Sequence, residues 1–207
     1  MPLNRRYIKK LSDMFVDDLR RSDYYRQLTE SQRHDLEDRL TTEAAQGYYP
    51  LVPGAEGQDL ARLAFALLEE LNIRLPESLM DILSQVDGFV ANGVTMYGVD
   101  GDLRDDAFDA VPGLVTENSI HWASFPETMD KYLFIGDADL WHFGMDLATG
   151  CPVVLHRGTL TETHRFSSLE ELVDDMMHQA LGYFEDTVEN SEAEPTNLPA
   201  GFHFSRS

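Results

Sequence analysis

Apolar residues fall at helical spacing from the start of the chain. Tyr7, Ile8, Leu11, Met14, Phe15 and Leu19 line one face and predict a helix from about Asn4 to Arg21. Ser31 is placed to cap a second helix running to about Gln46, and Gly47 to end it. The run Gly47 to Gly54, with two prolines, reads as a loop. Leu60, Leu63, Ala64, Leu67, Leu68 and Leu71 give a third helix, from about Glu56 to Asn72, one broad apolar face. Leu75-Pro76 opens a fourth, whose buried stripe is Leu79, Ile82, Leu83 and Val86 and whose stop signal is Asp87-Gly88.

The period then shortens. Gly88–Gly93 reads as strand and turn, and Val94–Val99 as a strand. Asp100–Asp109 is an acidic loop, and Asn118–Phe125 fits a short helix. Tyr132–Gly136, Leu140–Met145 and Pro152–His156 predict three successive strands. The turns between them, Asp137–Asp139 and Asp146–Gly150, are short enough for antiparallel pairing. Thr163–Phe166 suggests one more strand. Ser167 or Ser168 then caps a last helix with Glu170 and Glu171 in its first turn. The stretch from Glu185 to Ser207 reads as a flexible acidic and proline-containing tail.

Composition adds one strong constraint. The 207 residues carry 37 acids against 16 bases, a net charge of −21. The first forty residues hold nine bases and eight acids, so the acidity belongs to the main body. Such a body repels nucleic acid phosphate and anionic lipid, and draws in basic partners. One cysteine, Cys151, allows neither an internal disulfide nor a cysteine-rich zinc site. The N-terminus is polar, and the longest strongly apolar stretch, Leu60–Leu68, is too short to span a bilayer. A cytoplasmic location is the expectation.

Candidate chemistry is sparse. His142, His156 and Asp139 are the nearest approach to a reactive or metal-binding set, with His164 and His178 adding to the histidine count. A metal site needs two or three such groups on one face with carboxylates. Strand alternation sets His142 opposite Trp141 and Phe143, on the face expected to be solvated. These histidines therefore read as exposed or satisfied, and no metal ligand and no cofactor is assigned. The aspartates from Asp100 to Asp109 resemble a calcium loop only superficially: glycine comes too early, and valine stands where the twelfth-position glutamate belongs. Cys151 and the serines lack the setting of an activated nucleophile, and there is no glycine-rich phosphate loop. No catalytic residue is assigned.

Four stretches together carry a family likeness: LPESLMDILSQVDGF at 75–89, TMYGVD at 95–100, YLFIGDADLWHFGMDLATGCPVVL at 132–155 and HRFSSLEELVDDM at 164–176. In this order they resemble the SMI1/KNR4 (SUKH) superfamily over about residues 70–185. Members usually carry Asn-Gly where this chain has Asp87-Gly88. The Met-Tyr-Gly-Val run and the N-terminal extension are similar to the bacterial YrhA-like branch.

The likeness implies an α+β fold, a largely antiparallel sheet surrounded by helices. Its expected division is an N-terminal helical extension over 1–55, a main domain over 56–187 and a tail over 188–207. For many bacterial members it implies an immunity role, binding and occluding a secreted toxin. The charge points to a basic toxin, such as a nuclease effector, with Asp100, Asp102, Asp105, Asp106, Asp109, Asp137 and Asp139 as the expected contact. A scaffold protein serving an endogenous partner is the alternative. Neither nucleic acid nor membrane is an expected partner, and a homo-oligomer is compatible with the sequence.

Overall fold

The computed structural model describes residues 3–46, 50–104 and 111–182. Seven strands form one antiparallel sheet in chain order: β1 Leu51–Pro53, β2 Val86–Ala91, β3 Val94–Met96, β4 Tyr132–Ala138, β5 Trp141–Asp146, β6 Pro152–His156 and β7 Glu162–Arg165. The helices are α1 Arg5–Arg21, α2 Asp23–Gln27, α3 Glu30–Gln46, α4 Gly57–Leu71, α5 Glu77–Leu83, α6 Leu114–Ser124 and α7 Leu169–Ala180. The predicted α+β class, with helices around an antiparallel sheet, is the observed one.

The sheet is covered on both sides. Gly136 lies against Met176 of α7, so close that a Cβ at this position would meet it and Thr95 O. The next residue, Asp137, projects to the other face because successive residues of a strand alternate. That face carries α6, with α4 packed behind it. The arrangement explains why β4 is buried along nearly its whole length instead of alternating.

Several local expectations are corrected. Thr29, not Ser31, starts α3: its backbone N–H and hydroxyl both donate to Gln32 Oε1, and Gln32 N–H donates back to the hydroxyl. Leu51–Pro53 is not loop but β1, which pairs with β2. Asp87-Gly88 does not stop a helix. α5 ends four residues earlier, and Val86 already belongs to β2. Gly88 takes φ +87° within that strand, where a Cβ would sit 2.7 Å from Met96 O, so its glycine serves a close backbone approach.

The N-terminal segment is part of the main body. Leu3 and Leu11 are buried in the principal core, Leu3 N–H donates to Gln85, and Asn4 N–H donates to Asp174 on α7. With β1 lying in the sheet, the expected boundary at residue 55 runs through a continuous fold. The far end of α1 forms a smaller core with α2 and α3 around Val16, Leu36 and Leu40. The tail over 188–207 lies outside the described residues. Among the described residues no helix is long and apolar enough to cross a membrane.

Candidate functional site

The β4–β5 hairpin turns over Asp139 and Leu140, so Asp137 lies within β4 and directly opposite His142. Opposed residues share a face. A one-residue bulge between Phe134 and Gly136 brings Phe134 onto that face as well. α6 crosses above it. The His121 ring lies 4.7 Å, centroid to centroid, from the rings of both Phe134 and His142, meeting His142 edge-on. Tyr97, just beyond β3, completes the group: its hydroxyl donates to Asp137 Oδ2 at 3.1 Å and lies 2.9 Å from His121 Nε2. With its single hydrogen given to Asp137, the phenol oxygen accepts from His121 Nε2–H.

His142 is 1% exposed, so the expected solvated face is in fact buried under α6. Among the described residues neither of its ring nitrogens has a hydrogen-bond partner. Burial first, and then the positive fields of His121 and Arg157, push its pKa down to about 4. Burial also lowers His121, partly offset by Asp137. Tyr97 is pushed up by burial and by Asp137, so it stays a phenol. Glu117, one turn before His121 on α6, is raised by burial and by the charges of Asp137 and Asp100. At neutral pH the cluster thus holds two uncharged imidazoles beside a carboxyl group. His121, Asp137 and His142 each present a ligand atom, all within 4.8 Å of one another.

The expected acidic contact surface is divided. Asp100 is 4% exposed and accepts the Val115 and Thr116 N–H groups of α6, both at 2.9 Å, so it serves the fold and is withdrawn from the surface. Asp137 is half-buried in the histidine cluster. Asp102, in the 3-10 turn Gly101–Leu103, and Asp139, at the hairpin turn, are exposed. Asp105, Asp106 and Asp109 lie outside the described residues.

The set His142, His156 and Asp139 does not assemble. His156 stands opposite Trp141, with its ring edge-on to that indole, so it faces away from His142. His156 Nδ1 accepts the Gly158 N–H. His164 packs on Phe166, and His178 on Tyr7.

Glu117 and His121 lie in no motif of the sequence, and Tyr97 enters only as part of the TMYGVD stretch, with no role assigned to it. One signal was present: a two-residue turn at 139–140 dictates the Asp137–His142 pair, whereas a turn at 137–139 hides it.

A second feature lies on the outer side of α4. Phe65 is 66% exposed and Leu68 44%. Phe65, Ala61, Leu103 and the stem of Arg62 line an open hollow bordered by Glu69 and Glu70. Arg62 pairs with Asp59 and donates to Leu103 O, which ties the Asp102 turn to this helix.

Compared with known proteins, the chain matches no protein-family model and no curated protein.

Proposed function

We propose that the chain is a non-catalytic binding protein of the immunity type, which neutralises a basic protein toxin by covering its working surface. The observation that carries this reading is the outer face of α4. There an exposed aromatic anchor, Phe65, sits among Glu69, Glu70 and the neighbouring Asp102. Aromatic side chains supply much of the binding energy at protein interfaces, and a surrounding acidic rim speeds association with a basic partner. The net charge of −21 acts in the same direction over longer range. The likeness of the four sequence stretches to the SMI1/KNR4 (SUKH) superfamily supports the immunity role, exercised in the cytoplasm.

The test is co-expression of the chain with toxins encoded beside its gene. The expected result is that one toxin is neutralised and growth restored. The purified pair then associates more slowly as salt rises, and Phe65→Ala speeds dissociation while leaving the fold intact. Failure to protect against any of these toxins, together with stable capture of one endogenous protein, would replace immunity with the scaffold reading.

A further inference from the structure

The His142 imidazole poses a problem of polar bookkeeping. A neutral imidazole always has one N–H donor and one lone-pair acceptor. Both are buried here with no hydrogen-bond partner among the described residues, and a buried polar group left unpaired loses its hydration without compensation. Nearly all buried polar groups in folded proteins are satisfied, so an orphan of this kind calls for an explanation. The apolar rings around it, Phe134 at 5.3 Å and Phe125 at 6.2 Å, offer none. What does lie close is a second imidazole and a carboxyl group, delivered from different elements: His121 from α6 and Asp137 from β4.

We infer that His121, Asp137 and His142 form a binding site for a divalent first-row transition-metal ion, with zinc the best match. Two neutral imidazoles and one carboxylate are a borderline-hard N/O donor set that suits zinc and its neighbours and not calcium or magnesium. Tyr97 holds both His121 and Asp137 through its hydroxyl, the role that outer groups play in orienting metal ligands. Ligand atoms around a tetrahedral ion with bonds of about 2.0 Å sit roughly 3.3 Å apart. The present separations, within 4.8 Å, therefore close by side-chain rotation about the ion. A fourth position remains for water or for the nearby Glu117 carboxyl. Because His121 and His142 are buried, the ion would chiefly fasten α6 to the β4–β5 hairpin. The site is independent of the partner-binding reading, since the outer face of α4 contributes none of its ligands.

The experiment uses the full, tag-free chain, stripped with chelator and titrated with Zn²⁺ against a chromophoric competitor. Thermal unfolding is followed in parallel, and Co²⁺ serves as a spectroscopic probe. One equivalent of Zn²⁺ should bind, raise Tm by about 5–10 °C at a hundredfold excess over Kd, and be mimicked by Co²⁺ with a visible ligand-field band. His142→Leu removes the unpaired imidazole at similar volume. It should unfold in chelator at or above the wild-type Tm, yet lose both the Zn²⁺ shift and the Co²⁺ band. Asp137→Asn is the second variant and should weaken Zn²⁺ binding at least tenfold, while His156→Ala should leave it unchanged. The inference is overturned if no stoichiometric Zn²⁺ binding is found. It is equally overturned if His142→Leu and Asp137→Asn respond to Zn²⁺ as the wild type does, which would assign the binding to the acidic surface.

Discussion

Asn118 and Phe134 are joined by two hydrogen bonds that imitate a strand pair. Asn118 Nδ2 donates to Phe134 O at 2.7 Å, and Phe134 N–H donates to Asn118 Oδ1 at 2.8 Å. In the register of β3 and β4, where Met96 opposes Gly136, the partner of Phe134 would be residue 98. The chain has turned away by then, and Gly98 bonds instead to Pro112 and Leu114. The side-chain amide on α6 takes the vacated place in the ladder. Asn118→Ala should therefore leave a buried N–H and a buried C=O unpaired and cost about 3 kcal/mol in urea unfolding. A loss below about 1 kcal/mol would show that neither group depends on Asn118.

Asp100 caps α6 from a distance. Gly113, at the N-cap position, has no side chain to offer, and a Cβ there would collide with the Asp100 carboxylate. Asp100→Ala should cost about 2 kcal/mol. Gly113→Asp alone should also destabilise, by collision, although the backbone φ of −79° suits any residue. The double variant should be more stable than either single one, because the new side chain supplies the cap where the old one has been removed. Additive losses in a double-mutant cycle would refute this coupling.

The contact of α1, α2 and α3 turns on Glu37. Arg20 donates to both its carboxylate oxygens, at 3.0 and 2.6 Å, and the Tyr25 hydroxyl donates at 2.8 Å. The Arg20 and Tyr25 hydrogen bonds hold its pKa down to about 2. A folded pKa below the unfolded one means stability that is complete above about pH 4.5 and is lost as pH falls toward 2. Solvent screening limits it, so Glu37→Gln should cost about 1 kcal/mol or less at pH 7. The difference from wild type should vanish near pH 2. A constant difference across that range would assign the loss to packing.

Asp87 shows the opposite sign. Its carboxylate is fully buried, pairs with Arg104 and accepts the Val99 N–H at 2.7 Å. Burial nevertheless outweighs these partners and pushes its pKa up to about 6. The unfolded chain gives up this proton first, so stability falls as pH rises from about 4 to 6 and then levels off. Removing the guanidinium in Arg104→Ala should cost about 3 kcal/mol at pH 8 and extend the decline above pH 6. Asp87→Asn should remove the pH dependence in that window, as measured by denaturant midpoints at pH 4, 6 and 8. A slope that survives in Asp87→Asn belongs to another group.

Elements with strong local signals were legible beforehand. α1, α4, α7 and the strands β4 to β6 follow from apolar spacing, and Ser168 caps α7 by accepting the Glu171 N–H as its position suggests. Thr29 and not Ser31 caps α3 because Gln32, three residues on, reciprocates its bonds. Asp87-Gly88 looked like a helix stop because glycine favours both helix ends and close strand approaches. The candidate site was less legible. The local pattern makes Asp137 a turn residue and His142 solvated, since alternation along a strand says which residues share a face but not whether that face is covered.

The sequence by itself determined the helical faces, the antiparallel pairing of β4, β5 and β6 and the excess of negative charge, while the α+β class was what the family likeness implied. The helical faces and the hairpins depend on periodicity and short turns, which act over a few residues. Only the tertiary structure decided that α6 lies over the second face of the sheet. That packing buries His142, brings His121 and Tyr97 to Asp137, and turns Asp100 from a surface acid into a helix cap. The contacts join residues as much as 40 positions apart, as Tyr97 and Asp137 are. Their geometry is set by which elements exclude water from one another, a property of the assembled layers that no local window of sequence carries.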